Sequence, residues 1–260
     1  MYELSAAATV VLLRQRGPDL ELLLTERSKA LGFAGGAMVF PGGKVDAGDL
    51  EIARNPALSI GFDDLADTDA AARVAAARES FEEVGIVLST GPALDAATIA
   101  AWRTRFSRVA DADESATFAA FLEATGHRAD AARMTPFSHW VPPAGLHRRF
   151  DTLFYITSVR DDDEAIPDGT ETALVRWMTA AAALAAADAG ELGVIFPTRR
   201  NLERLAQYPT LEALHDRLRE LPLIRISPEM VERDGEKYLT IPTGCDYPIT
   251  EERIATAMRG

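Results

Sequence analysis

Glu79, Glu82 and Glu83 stand at i, i+3 and i+4 in the stretch RESFEEVG, residues 78–85. On a helix, that spacing puts all three carboxylates on one face within reach of one another. Like charges so placed repel unless a cation intervenes, and hard oxygens converging from one helix suit Mg²⁺ or Mn²⁺. Such an ion neutralises a diphosphate and activates water. The same residues also read as a solvated acidic face, with Arg78 pairing to Glu82 at i+4 for a few tenths of a kcal/mol. The helix alone leaves both readings open.

The pattern around these residues predicts the elements that would position them. Ala71, Val74, Ala77, Phe81 and Val84 recur at helical spacing, which predicts a helix over 68–84, capped by Asp67 or Thr68 and stopped by Gly85. Upstream, residues 6–28 read as two strands about a turn at Arg16 to Asp19. Ala37 to Phe40 reads as a short strand running into a Pro-Gly-Gly loop. Residues 92–133 read as mainly helical, with Trp102, Phe106, Phe118, Phe121 and Leu122 on the apolar face, before strand character returns in FSHWVPP and RRFDTLFYITSV. TALVRWMT reads as a further strand, followed by an Ala-rich helix and another helix over 198–221. The tail predicts a β-hairpin about Asp234-Gly235.

At 260 residues and 47% hydrophobic, the chain can bury one sizeable core, and it reads as a single domain over 1–260. A net charge of −13 argues against sequence-independent binding to nucleic acid or to an anionic membrane. The longest apolar runs are Ala-dominated and too short to span a bilayer, and no basic region leads into a cleavable segment. The single cysteine, Cys245, excludes an internal disulfide framework and fits a reducing, cytoplasmic setting; it reads as a small buried residue.

Residues 78–86, RESFEEVGI, resemble the distal half of the Nudix box, and Gly43 followed six residues later by Asp49 resembles its proximal half. Asp49 stands where the family has Glu, Ser80 where it has a bulky aliphatic residue, and 28 residues separate the halves where the family has seven. The resemblance implies an α/β fold, the Nudix-type α/β/α sandwich with a mixed β-sheet, and metal-dependent hydrolysis of a nucleoside diphosphate derivative. It makes Glu82 and Glu83 metal ligands, Glu79 a ligand or a base orienting water, and Arg78 a clamp on the cluster. The Gly42 carbonyl would complete the metal shell. The extra residues, about 50–69, fall in a loop between helix and turn, where added length costs little. The chain there is expected to wander freely.

A second resemblance narrows the substrate. LLTERSKALGFAGGAMVFPGG is similar to the signature ahead of the box in coenzyme A diphosphatases, with Leu23, Leu24, Thr25, Arg27, Ser28, Gly36 and Phe40 to Gly43 matching and Gly32 in place of an Arg. Together with the long insertion, HWVPPAGLHRRFDTLFYI and the C-terminal hairpin, it looks most like the peroxisomal coenzyme A diphosphatase subgroup and its bacterial relatives. That implies coenzyme A or acyl-coenzyme A as substrate and 3',5'-ADP with (acyl-)phosphopantetheine as products. Arg27, Lys44, Arg148 and Arg149 are candidate cations for its phosphates. Glu171, six residues before Trp177, is the candidate further acid, while Asp161 to Glu164 read as a solvated turn. His139 and His147 lack a recognisable triad partner, and Thr198 reads as a helix cap. Hydrolysis of ADP-ribose or NADH, and a nucleotide-binding sensor without turnover, remain alternatives. The helical stretch 92–133 either covers the pocket or forms a homodimer surface, and 221–260 reads as a C-terminal extension.

Overall fold

The structure is a computed structural model and describes residues 4–28, 35–107, 114–143 and 149–257. Its first hairpin sets the frame. Strand β1 (Leu4–Arg16) turns at Gly17, with φ of 60°, into the antiparallel β2 (Asp19–Arg27). Both faces of β1 are covered: Ala8, Val10 and Leu12 enter one core, Val11 and Leu13 the other. A strand buried on both sides reads as a continuous apolar run rather than an alternating one, as TVVLL does.

Around this hairpin a nine-stranded mixed sheet assembles. β3 (Ala37–Val39) pairs with β2, and β4 (Gly42–Lys44) pairs antiparallel with β1. After a helix, α1 (Ala47–Arg54), comes the two-residue β5 (Ser59–Ile60), then the long helix α2 (Asp67–Val84). β6 (Ser89–Thr90), α3 (Ala96–Phe106), α4 (Glu114–Thr125) and β7 (Arg128–Asp130) follow, with β5, β7 and β6 forming a small separate sheet. The main sheet resumes with β8 (Thr135–Trp140) and β9 (Arg149–Ser158), the latter parallel to β1 over ten residue pairs, and with β10 (Thr172–Thr179) on β2.

Helices cover both faces. α1 to α4 contribute Ile52, Val74, Phe81, Phe106, Phe118 and Phe121 to the core that holds Val10 and Leu12. On the other face, α5 (Ala180–Asp188), α6 (Phe196–Leu205, after the short β11, Gly193–Val194) and α7 (Leu211–Glu220) pack over Val11 and Leu13. This is the expected α/β/α sandwich. After β12 (Arg225–Ile226), the expected hairpin forms from β13 (Glu229–Arg233) and β14 (Glu236–Thr240). Asp234 and Gly235 both take positive φ, 52° and 78°, the geometry of a turn matched to strand twist. β15 (Glu251–Arg253) adds a third strand, and a short helix, α8 (Ile254–Ala257), follows.

Four expectations are corrected. The insertion about 50–69 does not wander: α1 packs along α2, and Arg54 donates to the Phe62 and Leu65 carbonyls and to Asp67. Asp67 is therefore an ion-pair partner in the first turn, and Ala66 holds the cap position without a side-chain bond. The stretch 92–133 ends in β7 and a 3-10 turn, Ala131–Arg133, rather than in helix. The helix expected over 198–221 is two helices that break before Leu211, with Thr210 capping the second through the Ala213 N–H.

Candidate active site

Helix α2 carries its acidic residues into the interior. Alanines at 70–72 and 75–77 leave room for α1, α3, α4 and the sheet to close in, so the helix is buried around most of its circumference. Its end is fixed by three devices. Gly85 takes φ of 75° and donates to the Phe81 carbonyl, which closes the helix in the left-handed conformation glycine accepts without a Cβ clash. Ser80, where the family has an aliphatic residue, is fully buried and donates to the Ile86 carbonyl at 3.0 Å. Arg103 of α3 donates to the carbonyls of Glu82, at 2.9 and 3.1 Å, and Glu83, at 3.0 Å, placing a cation on the helix's negative end.

Strand β4 forms the opposite wall. A Cβ at Gly43 would overlap the Glu79 carboxylate, and one at Gly42 would run into the β1 backbone at Ala8 and Thr9. Two glycines are needed here because backbone and carboxylate are in contact. The Gly42 N–H hydrogen-bonds Glu83.

Between the walls, Arg78 is wholly buried. Its Nε and Nη2 grip both oxygens of Asp49 at 3.1 and 3.2 Å, and Nη2 also donates to the Lys44 carbonyl at 2.8 Å. Nη1 faces Glu79 at 2.9 Å, Glu114 at 3.2 Å and Glu82 at 3.4 Å. Asp49, buried to 0% exposure and accepting the Asp46 N–H at 2.8 Å, thus anchors the arginine; its shorter side chain reaches because α1 begins beside it. Glu114 comes from the helical insertion, and sequence reasoning missed it; its place beside Asp111 and Asp113 is the only signal the sequence carries. Arg103, too, has no sequence signal apart from its place in α3.

Negative charge exceeds positive in this pocket, and the carboxyl pKa values move accordingly. Burial pushes Glu79 up to about 7; Arg78 pulls the other way, and Glu114, Glu171 and Asp49 raise it further. Burial, then Glu79, push Glu82 up to about 9 against Arg78. Glu83 lies well above its ordinary value, through burial and then through Glu79 and Glu171, opposed by Arg27 and the Gly42 N–H. Burial also raises Asp49 in spite of Arg78. For Arg78 itself burial works to lower the pKa, but Glu79, Asp49 and Glu82 together raise it, so it stays charged.

Of the other candidates, Glu171 and Arg27 come close enough to act on the cluster's titration. The Ser28 N–H donates to the Glu171 carbonyl at 2.7 Å, which ties the end of β2 to the loop ahead of β10. The Arg27 Nε is buried without a hydrogen-bond partner. Lys44 is exposed. The Arg149 guanidinium donates twice to the Pro142 carbonyl, at 2.9 and 3.1 Å. Arg148, His147 and Gly32 lie outside the described residues. His139 pairs with Asp151, which also takes Arg225.

The donor set fits a hard divalent cation: glutamate oxygens in charge excess, beside a backbone that lacks Cβ atoms. Among the described residues no three of them already converge on one point. Arg78 engages Glu79 and Glu82, while the Gly42 N–H and the Thr172 hydroxyl, at 3.5 Å, engage Glu83.

A mixed sheet between helical layers, with a Gly-Gly strand facing an acidic helix closed by glycine, defines the Nudix class. Within it, the chain belongs to the family described as the NUDT19 Nudix domain, whose model matches residues 55–205, more than half the chain. Relatives described as acyl-coenzyme A diphosphatase NUDT19 are 27% identical in Gallus gallus, over 87% of this chain and 78% of that one, and 28% identical in Homo sapiens, over 75% and 62%. The match thus spans less than two thirds of the human protein. A solved Nudix hydrolase from Alicyclobacillus acidocaldarius superposes with a TM-score of 0.70 at 28% identity, over 83% of this chain and 97% of that one. No helix among the described residues is long and apolar enough to cross a membrane.

Proposed function

We propose that this protein hydrolyses the diphosphate of coenzyme A or acyl-coenzyme A, releasing 3',5'-ADP and (acyl-)phosphopantetheine. The observation that carries the reading is the buried excess of carboxylates on α2, facing the Gly42–Gly43 backbone with Arg27 beside them. Relatives of that description, and the matching signature from Leu23 to Gly43, support the substrate class.

Glu79, Glu82, Glu83 and the Gly42 carbonyl would hold the divalent ion, Mg²⁺ or Mn²⁺. That ion supplies charge neutralisation at the diphosphate and a water acidic enough to attack at neutral pH. The chain's own residues do the rest. Arg78, anchored by Asp49, fixes the rotamers of Glu79 and Glu82. Glu79 would serve either as a ligand or as the base that orients the water. Arg27 offers a buried, unpartnered N–H to a substrate phosphate, and Lys44 adds an exposed charge. Glu171 is the further acid on the loop ahead of β10.

Product analysis tests the reading. Coenzyme A, ADP-ribose and NADH are offered separately with Mg²⁺ or Mn²⁺ and again with chelator. Metal-dependent 3',5'-ADP from coenzyme A, well above turnover of the others, is the expected result. Cleavage of ADP-ribose or NADH alone removes the substrate assignment and keeps the chemistry; no cleavage of any leaves a binding protein.

A further inference from the structure

Arg78 meets more acceptors than it has hydrogens. A guanidinium carries five N–H groups, one on Nε and two on each terminal nitrogen. Here it faces six acceptor atoms: both Asp49 oxygens, the Lys44 carbonyl, Glu79, Glu82 and Glu114. The shortfall falls on Nη1, where three carboxylates share two hydrogens, and the 3.4 Å bond to Glu82 is the longest of the three. Glu79 and Glu82 are fixed on the same helix turn as Arg78. Glu114 is not; it arrives from α4 at 3.2 Å, carried by an insertion whose Phe121 stacks on Phe81 with ring centroids 4.5 Å apart.

From this we infer that Glu114 is a positioning residue that competes with Glu82 for Arg78 and thereby leaves Glu82 available to a cation. The inference rests on the proposed metal-dependent reading of the site. Without Glu114, Nη1 has one hydrogen each for Glu79 and Glu82, and a buried, charge-assisted bond to arginine must be broken before Glu82 can turn to an ion. With Glu114 in place, Glu82 is the least firmly held of the three. The insertion then does more than cover the pocket, because its presence sets how tightly a reactive carboxylate is tied down.

Amide and alanine variants separate this role from that of a simple negative charge. In Glu114→Gln the amide oxygen still accepts from Arg78; in Glu114→Ala the acceptor is gone. Binding of Mn²⁺ alone to the full chain, followed by the paramagnetic resonance of the free ion, is expected to weaken about tenfold in Glu114→Ala and to stay within about threefold of wild type in Glu114→Gln. The metal concentration for half-maximal hydrolysis should move in parallel, with kcat at saturating metal retained. Equal weakening in both variants would mean that charge alone matters and would overturn the inference, as would unchanged binding in Glu114→Ala. Should thermal melting show that Glu114→Ala loosens α4, Glu114→Ser provides the same loss of a carboxylate acceptor with a polar side chain. Wild-type protein that binds no Mn²⁺ removes both this inference and the proposed function; wild type that binds Mn²⁺ but cleaves no diphosphate removes only the latter.

Discussion

Two ion clusters, on opposite faces of the sheet, are built in opposite proportions. On the α6 face one carboxylate, Asp246, receives Arg217 at 3.0 Å, Arg204 at 3.2 Å and the Tyr208 hydroxyl. On the α2 face one guanidinium, Arg78, receives four carboxyl side chains. Burial works to raise the pKa of Asp246, but its donors outweigh burial and bring it below the usual carboxylate range. Around Arg78 burial and mutual repulsion win, and Glu79, Glu82 and Glu83 all rise. Asp246, whose partners outweigh its desolvation, holds the C-terminal extension against α6 and α7. Carboxylates whose desolvation outweighs their partners store unfavourable energy that a bound cation relieves, and such sites concentrate at functional positions.

Glu82→Gln should have the largest effect. It removes the charge of a proposed metal ligand without touching core packing, so turnover should fall by roughly 10²–10³ or more, while the melting temperature in chelator holds or rises. Wild-type-like turnover in the folded variant would sink the assignment of Glu82.

The pH dependence of stability should also differ in sign between the clusters. Glu79 and Glu82 bind protons more tightly folded, at about 7 and about 9, than at the ordinary 4.5 of the unfolded chain. Between those limits the native state holds the extra protons, so in chelator their contribution to stability falls as pH rises. Asp246 acts oppositely: with its folded value lowered, the stability it contributes is present above the unfolded value and is lost on acidification through the folded one. Melting in chelator from pH 5 to 9 should therefore decline with pH, and Mn²⁺ should flatten that decline. A flat profile in chelator would mean that the acidic pocket is better hydrated than its burial implies.

How much of this was legible in the sequence follows from the range of the interactions. The helix carrying Glu79, Glu82 and Glu83, its Gly85 stop, the turn at Gly17 and the hairpin at Asp234-Gly235 are local, set by periodicity and backbone chirality, and the sequence predicts each of them. Asp49 was visible only as a departure from the family pattern. Its grip on Arg78 depends on α1 starting three residues after Lys44, with Asp46 and Asp49 capping each other, and no spacing rule announces that. Glu114 and Arg103 lie 36 and 21 residues from the groups they touch. Those contacts exist because Phe106, Phe118 and Phe121 pack α3 and α4 onto α2, a tertiary outcome that composition does not encode. The bonds from Arg149 to the Pro142 carbonyl are equally tertiary: they depend on how the chain returns from β8 into β9.

Asp246→Asn should leave Mn²⁺ affinity and turnover unchanged while lowering stability by about 1–3 kcal/mol, the penalty for weakening charged partners at a partly buried site. Urea unfolding alongside an activity assay checks this. A loss of activity that exceeds the loss of folded protein would tie the two clusters together and break the contrast between them.

Arg27 offers the finest test, because it is a cation on the acidic face whose Nε lacks a partner. Arg217 and Arg204, by contrast, both spend Nε on Asp246. If the free N–H is kept for a substrate phosphate, Arg27→Ala should raise KM for coenzyme A about tenfold, the equivalent of one charge-assisted hydrogen bond. KM for ADP-ribose, which lacks the 3'-phosphate, should rise less. Since Arg27 also lowers the Glu83 pKa, the variant should shift the pH profile of metal binding upward as well. An equal rise in KM for both substrates, with that upward shift, would assign Arg27 to the carboxylate cluster rather than to the distal phosphate. Its role would then be to keep Glu83 ionised, with substrate discrimination left to other residues such as Lys44.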